Sequence, residues 1–459
     1  MVMEHTDTSD EQSAAAFNAA MAQFIIPPGS NLAVAVSGGS DSMALVLLLL
    51  EWSNNVKVSI HTLTVDHCLR DSSSAESAQV SDWLAARNIA HTVLRWDDGA
   101  QKRKIASSPQ HAARNARYDL MNHWCATNGF GHLLVAHHAD DQVETFLMRL
   151  ARGSGIEGLS AMSPMIQRGG IFLLRPLLNF TKAQLAEVCR ARGQNWIDDP
   201  SNNSDSSTRV RFRKSQEILE REGFTRQRLL NTVGHLRRAK LALDQSVVDF
   251  FKVAGRFDGY GVARLSVQKL VNTPEEIGLR TISRILMAVS GAAYGPRCKN
   301  LQGLYDRIVS RPWRDATLHG CFVQREGDNL LVCRETAKIA ASLQVAINKN
   351  VVWDGRFRVS LFSDISNGPK QSFSISRMSP SVWRIFRVEN PQSSLENVPA
   401  RIRETLPIIS DSNRLVAVPH ADYLCNDYKS IFRAQVEFIP EIGSSLPIMG
   451  MAAKISHPK

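Results

Sequence analysis

The chain has 459 residues, 44% of them hydrophobic, which is enough for a sizeable core and, at about 100–200 residues per domain, for roughly two to four domains. Lys and Arg outnumber Asp and Glu by 54 to 44, and the net charge of +10 is compatible with a polyanionic partner such as nucleic acid without showing one. The seven cysteines include no C-x-x-C pair and the longest apolar run, 43–50, is too short to span a membrane, so we expect a cytoplasmic protein with reduced thiols and no membrane partner.

Short apolar runs alternate with helix-length stretches along the first part of the chain. The predicted strands cover 32–36, 56–65, 90–94, 132–136 and 171–174, and the predicted helices cover about 41–52, 74–88, 110–128 and 181–192. This alternation predicts an α/β fold, with a buried, doubly wound parallel sheet and helices on both of its faces. The ligands of such a sheet should lie beyond the C-terminal ends of its strands.

The sequence pattern changes after this region. The most loop-like stretch, DDPSNNSDSST at 198–208, is followed by the arginine-rich RVRFRK, and the pattern from about 224 to 308 is helical. Beyond Trp313, short alternating segments that include HGCFVQ, LLVC, FSIS and WRIFRV predict strands. We therefore expect three regions: an α/β domain over 1–222, a helical domain over 223–312 and a β-rich region over 313–459.

The segment AVSGGSDS, residues 35–42, follows the first predicted strand and leads into a helix. The free backbone N–H groups of such a turn, beside the positive end of a helix dipole, form an anion site, and phosphate is the expected ligand. Glycine permits positive φ and close approach of the backbone, and hydroxyls add donors; the residues concerned are Gly38, Gly39, Ser37, Ser40 and Ser42. The pattern G-x-x-x-x-G-K-S/T is absent, so a P-loop kinase or GTPase is not indicated. An ordinary tight turn is the alternative.

A second polar cluster, HHADDQVET, follows the fourth predicted strand. His137 and His138 come at the strand's carboxyl end, and Asp140 or Asp141 can cap the helix that follows. Asp141 and Glu144 are three residues apart and should share a helix face. Taken singly, these residues could be helix caps and polar edge residues, but six polar groups at a strand end favour a ligand site.

SGGSDS resembles the PP-loop of the N-type ATP pyrophosphatases, and H-H-x-D-D-Q-x-E-T narrows the resemblance to the tRNA(Ile)-lysidine synthetase family. Other motifs of that family occur in order: VDHCLR at 65–70, AARNARY at 112–118, GSGIEGLSAM at 153–162, RPLL at 175–178, WIDDPSN at 196–202 and RVRFR at 209–213. The resemblance covers about residues 31–213. It departs from the family at Cys68, where glycine is common, and at Val210, where asparagine is frequent.

The resemblance implies a two-step reaction with ATP and Mg²⁺ as cofactors. ATP adenylates O2 of the wobble cytidine in an isoleucine tRNA with a CAU anticodon, and free L-lysine then displaces AMP at C2 to form lysidine. Lysine carries an ammonium with a reference pKa of about 10.4, so carboxylates are needed to bind it and to help it lose a proton. The implied partners are the tRNA, free lysine and ATP, and a homodimer is one of the oligomeric states left open.

The resemblance also implies residue roles. Asp41 would hold Mg²⁺, and the nucleotide would be bound by Ser37, Gly38, Gly39, Ser40, Asp41, Ser42 and Asp66. Asp141 and Glu144 would bind lysine, while His137 and Arg114 would face the ATP phosphates and the charge that develops at phosphorus. From the residues themselves, Arg209, Arg211 and Arg213 are expected to contact phosphates of the tRNA or to close over the active site, and the helical domain is expected to contact the tRNA. A solvated face is the alternative for the three arginines, and a surface position is the alternative for Arg114.

Two other functions remain open at this stage. A tRNA thiolase uses the same adenylation, but it is expected to carry a C-x-x-C pair or a paired catalytic cysteine, and this chain lacks the first. A non-catalytic RNA-binding protein with a nucleotide-sensing fold is expected to have lost the glycine loop or the carboxylate cluster. Both are intact in this sequence.

Overall fold

The computed structural model describes residues 4–67, 72–96, 109–168, 170–198, 211–212, 215–310, 313–363, 372–412, 414–429, 433–439 and 453–454. The chain divides into two compact units, Met1–Lys240 and Leu241–Lys459. Among the described helices, none combines the length and apolar character that crossing a membrane requires.

The first unit alternates strands and helices. Its strands are β1 Asn31–Ala35, β2 Ser59–Asp66, β3 Ala90–Arg95, β4 His132–Leu134, β5 Met165–Arg168 and β6 Ile171–Leu174. Its helices are α1 Glu4–Met21, α2 Ser40–Asn55, α3 Ser72–Ala85, α4 Pro109–Asn128, α5 Ala139–Leu150, α6 Ile156–Leu159, α7 Lys182–Ala191, α8 Gln216–Arg221 and the start of α9, Arg226–Ala254.

The strands of this unit form one sheet in the order β3-β2-β1-β4-β6-β5. The first five strands in that order run parallel, and β5 forms an antiparallel hairpin with β6. Residues of β1 alternate between the two faces, so Leu32 and Val34 enter the core beneath α1, α2 and α7, whereas Ala33 enters the core beneath α4. The predicted α/β fold with a doubly wound parallel sheet is confirmed.

Local sequence explains how the helices that frame the site begin and pack. α7 begins with a capping box, in which the Thr181 hydroxyl accepts the Gln184 N–H at 3.2 Å and the Gln184 side chain accepts the Thr181 N–H at 2.9 Å. α2 is buried along its run from Met43 to Leu49 because it packs against the sheet, α1 and α7. α1 was not anticipated; it is polar, yet it buries Phe17 and Met21 in the same core.

The second unit contains the end of α9, further helices and antiparallel sheets. Its helices are α10 Val267–Val271, α11 Glu275–Ser290, α12 Cys298–Val309, α13 Pro380–Glu389 and α14 Ala400–Arg403. Its strands are β7 Gly255–Phe257, β8 Ala263–Ser266, β9 Ala316–Leu318, β10 Cys321–Glu326, β11 Asn329–Arg334, β12 Leu343–Ala346, β13 Asn350–Trp353, β14 Phe357–Phe362, β15 Ser372–Arg377, β16 Pro407–Asp411, β17 Arg414–Val418, β18 Tyr423–Leu424, β19 Arg433–Phe438 and β20 Ala453–Lys454.

These strands form three sheets, in the orders β7-β8-β11-β10-β9, β12-β15-β16-β17-β18 and β13-β14-β19-β20. A single hydrophobic core runs from Val247 in α9 to Phe438 in β19 and includes residues of α11, α12 and all three sheets. The helices and strands beyond residue 240 therefore share a core, and the three-region division at 222 and 312 stays a prediction.

Two segments differ from the sequence-based secondary structure. The β7–β8 hairpin interrupts the predicted helical region, because Asp258 accepts the N–H groups of Tyr260 and Val262 at 3.0 and 3.1 Å and closes a turn. The segment WRIFRV lies in α13 and is not a strand, because the Ser379 hydroxyl accepts the Val382 N–H at 3.2 Å and caps a helix.

Candidate active site

The site lies where β1 and β4 meet. These strands are neighbours in the sheet although β2 and β3 lie between them in sequence, so the chain leaves their C-terminal ends in opposite directions and opens a crevice there. Val34 pairs with Leu134, and Leu134 pairs with Leu174, so the residues that follow β1, β4 and β6 reach the same edge of the sheet.

The glycine loop, residues 35–42, joins β1 to α2. Gly38 has φ +84°, and a Cβ at this position would lie 2.7 Å from Cγ2 of Val80 and 2.9 Å from Cδ1 of Ile197. The Gly38 carbonyl accepts the Ile197 N–H at 2.9 Å, which ties the loop to the WIDDPSN segment. Gly39 is the N-cap of α2, and a Cβ at this position would make ordinary van der Waals contact with the Ile197 carbonyl oxygen and the Ser37 hydroxyl, both at 3.8 Å. The loop therefore requires glycine at 38 and offers close approach of a ligand at 39.

The serine hydroxyls shape the loop. The Ser42 hydroxyl donates to the Gly39 carbonyl at 2.9 Å and accepts the Ser37 N–H at 3.2 Å, and the hydroxyls of Ser37 and Ser42 are 3.3 Å apart. The Ser40 hydroxyl donates to the Asp41 carboxylate at 3.3 Å. The loop thus leads into the start of α2, where the first backbone N–H groups have no partner within the helix and Asp41 lies beside them in the first turn.

His138 connects the two strand-to-helix turns. Its Nε2 lies 3.5 Å from Asp41 Oδ2 and 3.6 Å from Asp141 Oδ2, and its Nδ1 lies 3.5 Å from Asp140 Oδ2. Burial would lower the pKa of His138, but the contacts with Asp140 and Asp41 and the nearby charge of Asp141 outweigh burial and raise the pKa to about 10. The three carboxylates therefore favour the protonated form of His138, which lies between the starts of α2 and α5.

The two adjacent aspartates have different surroundings. Asp141 accepts the His138 N–H at 3.1 Å and so caps α5. Asp140 points the other way: it accepts the Lys182 N–H at 2.9 Å and pairs with Arg226 at 2.6 Å, which joins the starts of α5, α7 and α9. Although burial opposes it, the contacts with His138, Lys182 and Arg226 lower the pKa of Asp140 to about 2. Asp140 is therefore an ionised structural link.

His137 lies between two arginines. Arg175 donates from Nε to Nδ1 of His137 at 3.3 Å, and Nη2 of Arg114 is 3.3 Å from Nε2 of the same ring. The guanidinium of Arg114 also lies 5.3 Å from the ring centroid of Tyr118, which Arg168 covers at 4.8 Å. The structure thus brings the predicted pair of His137 and Arg114 together and adds a cationic group from the RPLL motif.

A pocket of about 270 Å³ opens beside α5. Glu144, which is 5% exposed, forms part of its wall together with His138 and Asp140. Its apolar lining consists of Val143, Leu147, Ala183, Phe212, Leu219, Phe224 and Leu229, and its other charged residues are Lys182, Glu220 and Arg226. Of the two carboxylates predicted to share a ligand, Glu144 lines this pocket, whereas Asp141 is not among the lining residues and contacts Nε2 of His138 at 3.6 Å.

The remaining predicted residues fall in different places. Asp66, at the end of β2, accepts the hydroxyls of Ser73 and Ser74, so its carboxylate anchors the start of α3 near the sheet edge. Arg211 is exposed in a short helical stretch. Arg209 and Arg213 lie outside the described residues, as do Cys68 and Val210.

Other residues of the site were not assigned from sequence. Gln142, which is 2% exposed, donates to the Met162 carbonyl at 2.9 Å and accepts the Met162 N–H at 2.7 Å. Arg237 of α9 donates to the same carbonyl at 2.9 Å, so the GSGIEGLSAM segment is held against α5 and α9. Arg175 belonged to a motif already noted, but Arg226 and Arg237 carried no local signal.

The cysteines bear on the thiolase alternative. The described cysteines are free thiols, and burial raises the pKa of Cys125 and Cys321 to about 12 and that of Cys189 and Cys333 to about 11. Thiol nucleophiles act as thiolates, which these four residues disfavour. Cys298 is exposed and Cys425 is partly exposed, and both belong to the second unit.

Comparison with known proteins gives one matching family, two similar relatives and one similar solved structure. The model of the PP-loop domain family matches residues 9–221. The tRNA(Ile)-lysidine synthase of Wolbachia pipientis wMel is 33% identical over 339 residues, which are 73% of this chain and 78% of that protein. The tRNA(Ile)-lysidine synthase of Orientia tsutsugamushi (strain Boryong) is 32% identical over 402 residues, which are 85% of this chain and 89% of that protein. Among solved structures, the U34-tRNA thiolase NcsA from Methanococcus maripaludis has a TM-score of 0.45 and 13% identity, and covers 51% of this chain and 79% of its own.

Proposed function

The chain belongs to the tRNA(Ile)-lysidine synthase family, and we propose that the crevice at the ends of β1 and β4 is where it carries out both steps of lysidine formation. The enzyme is a ligase that uses ATP and modifies tRNA(Ile). The observation that supports this placement is the pairing of a glycine loop suited to phosphate with an amino-acid-sized, partly acidic pocket, bridged by His138.

In the first step, the glycine loop holds the β- and γ-phosphates of ATP at the N-terminus of α2. O2 of the wobble cytidine attacks the α-phosphorus, the bond from that phosphorus to the bridging oxygen breaks, and pyrophosphate leaves with the electron pair. Gly39 has no side chain, so a phosphate can approach its backbone and meet the N–H groups at the start of α2.

The residues at this end of the loop fit Mg²⁺. Asp41 has a side chain that is 29% exposed, and carboxylate and phosphate oxygens are the ligands this ion prefers. Within the described ranges, no three His, Cys, Asp or Glu side chains form a ready metal site, so ATP oxygens and water would complete the coordination. When bound, the ion neutralises the charge of the leaving pyrophosphate.

His137 and Arg114 serve the same step from the opposite side of the crevice. His137 follows β4, whose end lies beside that of β1, and Arg114 of α4 contacts His137. Donors held in place before reaction stabilise the charge that develops on the α-phosphate oxygens without reorganising at the moment of reaction. We assign this role to the Nη2 group of Arg114 and the ring of His137.

In the second step, the ε-amine of lysine attacks C2 of the adenylated cytidine. The C2–O2 bond breaks, and AMP leaves carrying O2 as one of its phosphate oxygens. Glu144 accepts the proton that the ammonium must lose before attack. We keep Asp141 as a second carboxylate for lysine, acting from the His138 side.

The pocket beside α5 suits free lysine along its whole length. Its volume of about 270 Å³ is slightly below the roughly 300 Å³ at which pockets for drug-sized ligands begin. The apolar walls suit the aliphatic stem, buried Glu144 suits the ammonium, and Lys182 with Arg226 suits the α-carboxylate. Glu220 at the same pocket suits the α-amine.

The RNA partner is an isoleucine tRNA with a CAU anticodon. Arg209, Arg211 and Arg213 and the helical region after residue 222 are proposed to contact its phosphates. A cytoplasmic location follows from the location of that tRNA and of ATP. The homodimer stays a prediction, which light scattering of the purified protein tests.

The experiment follows the two steps separately, with radiolabelled lysine, ATP, Mg²⁺ and a tRNA(Ile) transcript bearing CAU. Asp41→Asn should lose both pyrophosphate release and lysine incorporation by about 10²-fold or more. Glu144→Gln should still release a burst of pyrophosphate but incorporate little lysine. Glu187→Gln, which removes an exposed carboxylate paired with Arg190, is the matched control and should behave as wild type.

Three results decide the proposal. If the wild-type protein cleaved ATP to AMP in the presence of tRNA but incorporated no lysine, lysine would not be the nucleophile of the second step. If Glu144→Gln incorporated lysine at the wild-type rate, the pocket beside α5 would not be the lysine site. Cadaverine has the stem and amines of lysine but no carboxylate, so its use as readily as lysine would contradict the roles of Lys182 and Arg226.

A further inference from the structure

Arg175 follows β6 directly and is 7% exposed. Its guanidinium has a fixed orientation, because Nη1 donates to the Ser163 carbonyl at 2.7 Å and the backbone N–H donates to the Pro164 carbonyl at 2.7 Å. Burial lowers the pKa of Arg175 to about 10; Tyr118 raises it and Arg114 lowers it by smaller amounts. The side chain is still charged at neutral pH. A rigid cation thus meets His137.

The hydrogen bond from Arg175 decides where the proton of His137 resides. Arginine has only donors, and a neutral imidazole accepts at one nitrogen and donates at the other. Because Nε of Arg175 donates to Nδ1 of His137 at 3.3 Å, the proton of the neutral ring belongs on Nε2. Positive charges on both sides of the ring, from Arg114 and Arg175, favour its neutral form.

The Nε2–H tautomer changes the meaning of the contact with Arg114. Nη2 of Arg114 and Nε2 of His137 are 3.3 Å apart, and in this tautomer both are donors. Two donors this close point to a common acceptor, and an anionic oxygen is the acceptor that both would favour. Without Arg175, Arg114 would instead donate to Nε2 and draw the ring proton to Nδ1.

We propose that Arg175 is a positioning residue, which holds His137 as the Nε2–H tautomer so that His137 and Arg114 together donate to one oxygen of the α-phosphate. This inference rests on the proposed function for the identity of that oxygen. The tautomer itself rests on the hydrogen bond that Arg175 donates to Nδ1 of His137 and does not depend on the proposed function.

The test begins with the tautomer in the wild-type enzyme. Histidine labelled with ¹⁵N, observed by long-range ¹H–¹⁵N correlation at mildly alkaline pH, distinguishes pyridine-type from pyrrole-type ring nitrogens, and His137→Gln identifies the signals of interest. We expect a pyridine-type Nδ1 and a pyrrole-type Nε2. A protonated Nδ1 in the wild type overturns the proposal, and this measurement does not depend on any variant folding.

The second arm compares two arginine variants. Arg175→Met should raise the Nδ1–H population of His137 and lower kcat for tRNA-dependent pyrophosphate release by about 10²-fold, with the KM for ATP changed less than about threefold. Arg168→Met is the matched control, because Arg168 is a nearby arginine that lies over Tyr118 and pairs with Asp119 at 3.3 Å. It should leave the tautomer and kcat unchanged.

A purely structural Arg175 gives a different result. Arg175→Met would then be less stable to denaturation through loss of the Ser163 contact, but the folded enzyme would keep its tautomer and its kcat, and the proposal would be overturned. Failure of the wild type to form lysidine, whatever the tautomer, would count against the proposed function and leave the tautomer result standing.

Discussion

A methyl group at position 38 is the smallest change that tests the glycine loop. Gly38→Ala puts a Cβ on a residue with φ +84°, and that Cβ would lie 2.7 Å from Val80 and 2.9 Å from Ile197. Val80 belongs to the hydrophobic core beneath α2 and Ile197 packs against that core, so the space for an added methyl group is limited. Strain from the backbone and overlap in the core should therefore add.

The expected cost follows from these two contributions. A left-handed conformation costs an alanine about 1–2 kcal/mol. One extra methyl group in a packed core costs about 1–3 kcal/mol. Gly38→Ala should therefore lower the free energy of unfolding by about 2–5 kcal/mol.

Two other glycines separate the contributions. Gly29 has φ +80° and no atom within 4 Å of a built Cβ, so Gly29→Ala should cost only the backbone contribution, about 1–2 kcal/mol. Gly39 has φ −73°, so Gly39→Ala should fold with a loss of about 1 kcal/mol or less as an alanine N-cap. Its methyl group would nevertheless occupy the space proposed for a phosphate and should weaken ATP binding.

Urea denaturation followed by tryptophan fluorescence measures the stabilities, and equilibrium dialysis with labelled ATP measures the affinities. Gly38→Ala as stable as Gly29→Ala would refute the reasoning about Val80 and Ile197. Gly39→Ala with wild-type ATP affinity would show that no phosphate approaches the backbone there.

Three further outcomes are expected. His420 donates to the Gly259 carbonyl at 3.0 Å, and burial lowers its pKa from 6.5 to about 4. As the pH falls from 6.5 to 4, the unfolded chain protonates this imidazole before the folded chain does. The free energy of unfolding should therefore fall by about 3 kcal/mol over that range. His420→Gln keeps a hydrogen-bond donor, and its free energy of unfolding in urea should depend less on pH over that range than that of the wild type. An unchanged pH dependence would mean that other groups cause the loss of stability. Gln142→Ala removes both hydrogen bonds to Met162 and should cost about 2–3 kcal/mol, whereas a loss under about 0.5 kcal/mol in urea would mean that the segment is held elsewhere. Iodoacetamide should label Cys298 in the native protein before it labels the four buried cysteines, and peptide mass spectrometry measures this order. Cys298→Ser should retain activity, whereas a thiolase that used this cysteine in catalysis would lose it.

The α/β fold could be predicted from the sequence because its signals are local. Apolar strands of β1 to β4 alternate with amphipathic or buried helices, and each can be recognised within a window of a few turns. WRIFRV was misassigned for a related reason: six residues with alternating bulky side chains fit a strand, and the Ser379 cap lies just outside them. A window of six residues that omits the capping serine favours the two-residue repeat of a strand over the 3.6-residue repeat of a helix.

The site was predictable only in part. The adjacent residues Asp140 and Asp141 look equivalent in sequence, yet one joins α7 and α9 and the other caps α5, because neighbouring helix positions point about 100° apart. Only the position of α7 and α9 determines which carboxylate is occupied. Likewise, Glu144 could be singled out, but the walls of its pocket come from four separate helices, α5, α7, α8 and α9, together with Phe212 and Phe224.

The sequence by itself determined the chemistry available at the edge of the sheet: the glycine loop, the carboxylates and the histidines are contiguous motifs whose spacing carries their meaning. The tertiary structure decided which of them act together. His137 meets Arg114 and Arg175, which are 23 and 38 residues away, because the sheet order places β4 between β1 and β6. Strand order depends on the packing of the whole sheet, so contacts made across it cannot be read from any one segment.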